Sequence, residues 1–220
     1  MALSHNSLIR GFNSIYQQAP RLSPSDHKDF ICYCLAWHNC VEKHHDYEET
    51  FLFPAIEKAT GVKGIMDGEV EQHATFHDGM EEFKKYLLQL NRGKSKFSHQ
   101  RLLQIMDTFS KPLHDHLTSE PQSLLAVRRY STAEKPIDLV AMALDTGKKS
   151  VTAGFVFSTL PVFLLNMETV QFEDGMWHGV FPPMTGPAKW VMTKGVPRWH
   201  QSWWRFVSCT PDGRLKHLAV

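Results

Sequence analysis

The chain has 220 residues, 42% of them apolar, and a formal net charge of +1, enough for one sizeable core and a smaller extension. Lys and Arg, 24 in all, nearly balance 23 Asp and Glu, so no broad basic surface exists to recruit nucleic acid or an acidic membrane. Four cysteines without a C-x-x-C spacing read as reduced thiols of a cytoplasmic protein rather than as a disulfide scaffold.

The N-terminal "MALSHNSLIRGF" lacks a basic segment followed by an apolar one. The longest apolar run, "AGFVFSTLPVFLL" at 153–165, is short and broken by Ser, Thr and Pro. Neither a signal peptide nor a membrane span is expected.

Residues 3–18 carry Leu8, Ile9, Phe12, Ile15 and Tyr16 at helical spacing, with His5 in the first turn, and "APRLSPSD" follows as a loop. Ser25 or Asp26 can cap a second helix that runs to about Phe53, where Pro54 ends or kinks it. A third helix spans roughly Val62 to Leu90, and a fourth runs from near Ser98 to about Arg129, bent by Pro112 and Pro121. Four amphipathic helices with short connections predict an all-α fold, an antiparallel four-helix bundle over residues 1–130.

From residue 131 to 220 the texture changes to an extension of mixed, partly irregular structure. It holds a short helix near Ile137 to Leu144, a Gly-, Pro- and Trp-rich tract, and a hairpin around Pro211-Asp212-Gly213.

Histidine is the compositional outlier, 13 in all, eight of them between His38 and His116. On the second helix the stripe Cys34, Trp37, Val41, His44, Glu48, Phe51, Ala55 is apolar except at His44 and Glu48. His45 and Glu49 flank it. The third helix gives Met66, Val70, His73, His77, Met80, Phe83, Leu87, and the fourth Leu102, Met106, Phe109, Leu113, His116, Glu120, Leu124. Each stripe holds one polar pair four residues apart.

With His5, seven donors point inward: five imidazoles and two carboxylates. Burying them without compensation is costly, and a pair of metal ions removes the cost. A single histidine on an apolar stripe is usually a hydrogen-bonded core residue, but three such pairs on consecutive helices argue against coincidence. One zinc would use only four of the seven groups. Imidazole with carboxylate suits iron, with manganese or zinc as substitutes.

"SHNSLIRGFNSIY", "HHDYEETFLFP", "EQHATFHDGM" and "LHDHLTSE" resemble the hemerythrin-like family, the HHE cation-binding domain, over about residues 3–130. The style is that of the longer fungal members. The resemblance implies a diiron centre bridged by an oxo or hydroxo group, with His5, His44, Glu48, His73, His77, His116 and Glu120 as metal ligands. One iron would have three histidines and the other two, the latter keeping an open position for dioxygen. Glu120 departs from the oxygen carriers, which place an Asp five residues after the histidine.

Two functions follow as expectations. One is an O2-dependent oxidoreductase, an oxygenase or oxidase acting on a small organic substrate under "GFVFSTLPVFLLNMETVQFEDGMWHGVFPPM" and "RWHQSWWRF". The other is a non-catalytic binder or sensor of O2, NO or iron. A structural zinc bundle is the third reading. The residues name no catalytic side chain beyond the ligands.

Overall fold

The computed structural model describes residues 1–147, 152–181 and 186–220. Four helices make the bundle: α1 (Ala2–Gln18), α2 (His27–Tyr47), α4 (Asp67–Asn91) and α5 (His99–Ala126), with α3 (Phe53–Thr60) prolonging α2. Contacts of α1 with α2 and α5, and of α4 with α2 and α5, close the four into a ring.

Local chemistry sets the helix ends. Ser23 N and Oγ donate to Asp26 Oδ2 at 2.9 and 2.7 Å, a capping box ahead of α2. Ser98 Oγ accepts from Arg101 N at the start of α5. Gly61, at φ 75°, closes α3 in the left-handed conformation that glycine adopts without strain.

Pro54 interrupts the second helix, as the sequence predicts, but by widening it rather than by ending the helical path. A wide π turn at Glu48–Leu52 leads into α3, with Pro54 in its first turn. Proline has no amide to offer Thr50 and its ring crowds that carbonyl; the wider turn relieves both. α4 starts at Asp67 rather than near Val62, because 61–66 is spent on the connection. Pro112 and Pro121 both lie within the continuous α5.

The core fills the bundle in two parts. Trp37, Phe83 and Phe109 pack edge-on and stacked with ring centres 5.7 to 6.4 Å apart. Gly11 makes room for them, since a Cβ there would collide with the Trp37 ring, and Trp37 Nε1 donates to Leu8 O at 2.9 Å. A second apolar cluster, Leu52, Phe53, Ile56, Met66, Leu124 and Val127, closes the other end. Between the two lies a polar layer.

The extension lies on the outside of this frame. α6 (Leu139–Gly147) seals the second cluster with Leu139, Met142 and Ala143. Tyr47 Oη donates to Ala143 O at 3.1 Å and lies 2.8 Å from Thr146 Oγ1. α7 (Ala153–Ser158) leads into α8 (Leu160–Leu164), which packs on α1 and α2.

Buried polar contacts hold the extension to the bundle. Ser7 Oγ donates to Phe163 O, Gln18 Nε2 donates to Phe206 O at 2.8 Å, and Asn166 Nδ2 donates to Tyr33 Oη at 3.2 Å. The expected hairpin reduces to one bridge, Cys209 with Leu215, around a Gly213 turn at φ 73°. There is no strand among the described residues. No helix among them is long and apolar enough to cross a membrane.

Candidate metal centre

The polar layer is built from one turn of each bundle helix. α1 supplies His5, α2 supplies His44 and His45, the π turn Glu48, α4 His73, and α5 His116 and Glu120. All but His44 are more than nine-tenths buried, and Glu48, His116 and Glu120 are wholly so. Their donor atoms form two groups, each drawn together within 4.8 Å: His5, His44, Glu48, Glu120, and His45, Glu48, His73, His116.

Glu48 belongs to both groups through different oxygens. Its Oε1 is 3.3 Å from His44 Nε2 and its Oε2 is 3.8 Å from His73 Nε2. In the first group His5 Nε2 lies 2.9 Å from His44 Nε2 and 3.1 Å from Glu120 Oε2. In the second, His73 Nε2 and His116 Nε2 are 3.1 Å apart. Two donors each about 2.1 Å from one ion and about 90° apart are separated by about 3 Å, which is the spacing found here.

The far sides of the rings fix which nitrogen faces inward. His5 Nδ1 lies 2.7 Å from Leu117 O, which accepts only if Nδ1 carries the proton, leaving Nε2 as a lone pair. His73 Nδ1 is 2.7 Å from Glu49 Oε1, with the same result. His116 Nδ1 looks toward Glu69 Oε2 at 3.5 Å. Partners such as Leu117 O and Glu49 orient metal-binding imidazoles and raise their basicity.

The Leu117 carbonyl is available for a sequence reason. In a regular α-helix it would accept from the amide of residue 121, and residue 121 is a proline within α5. The proline that the sequence marks as a bend in the last helix thus frees the acceptor that holds His5.

Left to themselves these groups are poorly satisfied. Both oxygens of Glu48 and of Glu120, Glu69 Oε2, His45 Nε2 and His116 Nδ1 are buried without a hydrogen-bond partner. Burial, reinforced by Glu120, pushes the Glu48 carboxyl well above the usual range. Burial, reinforced by neighbouring imidazoles, pushes His44 and His45 well down, and His116 down to about 3. Neutral imidazoles are the metal-binding form, and cations would neutralise the two carboxylates that water cannot reach. The residues fit a pair of cations.

Six of the seven residues expected to face inward are gathered here: His5, His44, Glu48, His73, His116 and Glu120. His77 is the correction. Its side chain is 70% exposed and lies against Asp78, because the buried stripe of α4 is Glu69, His73, Phe76, Met80, Phe83, Leu87. Phe76 takes the inward position, and His77, one residue on, is turned away by about 100°. His45, read from the sequence as a flanking residue, stands in the centre instead. Glu69 was missed, although it lies four residues before His73 on the same stripe.

One side of the centre opens to a groove of about 610 Å³ between α2 and α4, lined among others by His45, Glu49, His73 and Phe76. The extension was expected to cover the open side with residues 154–184 and 198–206. Instead α8 and the 203–206 turn pack on α1 and α2, and none of the described residues of the extension lines the groove. Residues 182–184 of the expected cover lie outside the described residues.

Comparison with known proteins finds a relative along almost the whole chain. The "Dimeric xanthone biosynthesis cluster protein R11" of Cryptosporiopsis sp. (strain 8999) is 29% identical over 215 residues, covering 97% of this chain and 79% of that protein. The similarity therefore runs through the extension as well as the bundle. No solved structure matches the chain. The family model described as Hemerythrin HHE cation binding domain matches residues 1–127, more than half the chain, and the protein belongs to that family.

Proposed function

We propose that the protein holds two iron ions between His5, His44, Glu48, Glu120 and His45, Glu48, His73, His116, and uses dioxygen to oxidise a small organic molecule. The observation that carries this reading is Glu48: a wholly buried carboxylate with one oxygen toward each group of imidazoles and no other partner. Iron bound by nitrogen and oxygen donors supplies redox chemistry toward dioxygen; manganese or zinc could take the same ligands. Four free thiols are in keeping with a reducing, cytoplasmic setting.

The chain's own part is placement and exclusion. Leu117 O and Glu49 hold the His5 and His73 rings with their lone pairs inward. The two apolar clusters and α6 keep water from the ends of the polar layer. The groove has a volume in the range of small-molecule sites and ends on His45 and His73, so a substrate lying in it reaches the centre from the side. Similarity along nearly the whole chain to a protein of a xanthone biosynthesis cluster supports aromatic phenols as the first substrates to try.

The test is oxygen consumption by ferrous-loaded protein with and without a panel of phenols that includes xanthones. The reading expects at least one compound to accelerate O2 uptake and to yield a defined oxidised product. Uptake that no compound accelerates overturns it in favour of a second reading, a non-catalytic binder of O2, NO or iron. That alternative is favoured by one feature, the preponderance of five buried or nearly buried imidazoles over two ligand carboxylates. Its signature is an absorption band that forms in air and disappears under vacuum.

A further inference from the structure

A second run of ligating side chains lies along the same groove, outside the centre. On α2 and the π turn that continues it, His38, Glu42, His45 and Glu49 follow one another at spacings of three and four, and α4 faces them with Glu81, His77 and His73. One donor atom each of His38, Glu42 and Glu81 lie within 4.8 Å of one another. His38 is buried, whereas the two carboxylates are about a third exposed. A cation already lies between those carboxylates: Lys84 Nζ is 2.8 Å from Glu42 Oε1 and 3.5 Å from Glu81 Oε1. Its long stem allows it to leave.

The groove connects this cluster to the centre. Among the described residues its lining includes Glu42, Asp46, Glu49, Asp78 and Glu81 and no lysine or arginine, Lys84 standing at its outer end on Glu42 and Glu81. Such a cleft concentrates cations and speeds their arrival. At its inner end is His45, whose Nε2 is buried without a partner. The helical rise places Glu42 and His45 about 4.5 Å apart along the axis of α2, a single step for an ion.

We propose that His38, Glu42 and Glu81 form an outer docking site for divalent cations, from which ions pass along the α2–α4 groove to His45 and the buried centre. This rests on the reading of that centre as a two-cation site. Lys84 competes with the incoming ion for the two carboxylates.

The experiment mixes metal-free full-length protein with Co(II) in a stopped-flow instrument and follows its absorbance, with metal content measured at the end point. Glu42→Gln combined with Glu81→Gln is expected to load about tenfold more slowly than the unaltered chain at low salt, with the difference shrinking at high salt. Both proteins reach the same ions per chain. Lys84→Met is expected to load faster than the unaltered chain. Equal rates in all three proteins overturn the outer site while leaving the centre standing. So does slower loading by Lys84→Met, or a loss of ions per chain in the double variant, which would make the carboxylates ligands of the centre itself. An unaltered chain that binds no Co(II) overturns the centre and the outer site together.

Discussion

Pro121 and His5 are on different helices, yet one sets the other: the amide missing at Pro121 leaves Leu117 O to the His5 ring, 2.7 Å away. Restoring the amide should reverse this. Pro121→Ala removes a residue that costs a helix interior about 3 kcal/mol relative to alanine, so the metal-free protein should melt at a higher temperature. The new N–H competes for Leu117 O, so His5 is held less firmly and cation affinity should fall several-fold. Calorimetry of the metal-free protein and a chelator competition check the two halves. A variant no more stable and equally tight in cation binding would show that the proline has no part in placing His5.

Glu49 acts on His73 in the same manner, through a 2.7 Å contact, and is itself 43% exposed. Glu49→Gln should therefore fold normally while weakening cation binding about 10- to 100-fold. Glu69→Gln should act similarly through His116. Equilibrium dialysis against a chelator of known affinity measures both; unchanged affinity in both variants would leave these carboxylates without a role at the centre.

His45 and His77 give opposite expectations. His77→Ala should retain the full complement of ions, since its side chain is exposed. His45→Ala removes a donor from the second group and should weaken or empty that position while leaving the first filled. Metal analysis after gel filtration decides between them. Loss of metal on changing His77, with none on changing His45, would mean that α4 sits in the other register when loaded.

Asp26 ties the extension to the start of α2. The Arg205 guanidinium, with the Ser23 hydroxyl and amide, holds its carboxyl down to about 2. A carboxyl whose pKa is lower folded than unfolded contributes stability above its unfolded value, and loses it as the pH falls through the folded one. The difference in melting temperature between the unaltered chain and Asp26→Asn should be constant above about pH 5 and shrink progressively below it, most of it lost by about pH 2. A difference that persisted unchanged at pH 2 would refute the pairing.

Much of this was legible in the sequence because burial on a helix has a fixed period. The stripes of α2 and α5 placed His44, Glu48, His116 and Glu120 correctly. On α4 two stripes one residue apart are both plausible, Met66-Val70-His73-His77 and Glu69-His73-Phe76-Met80, and only packing against α5 selects the second. His45 and His44 are neighbours in sequence, and nothing in a single-helix pattern says that both reach the layer. The π turn arises from Pro54 acting on the preceding turn, a backbone effect without a side-chain period. The extension was least legible, since its short helices are set by buried contacts such as Asn166 with Tyr33 rather than by amphipathicity.

The two donor groups joined by Glu48 are the centre of this account, and their count of ions tests it most directly. Anaerobic titration of metal-free protein with ferrous iron, followed by elemental analysis of the desalted product, should break at two ions per chain, and Glu48→Ala should take up fewer. A break at one ion, or no uptake by the unaltered chain, would contradict it.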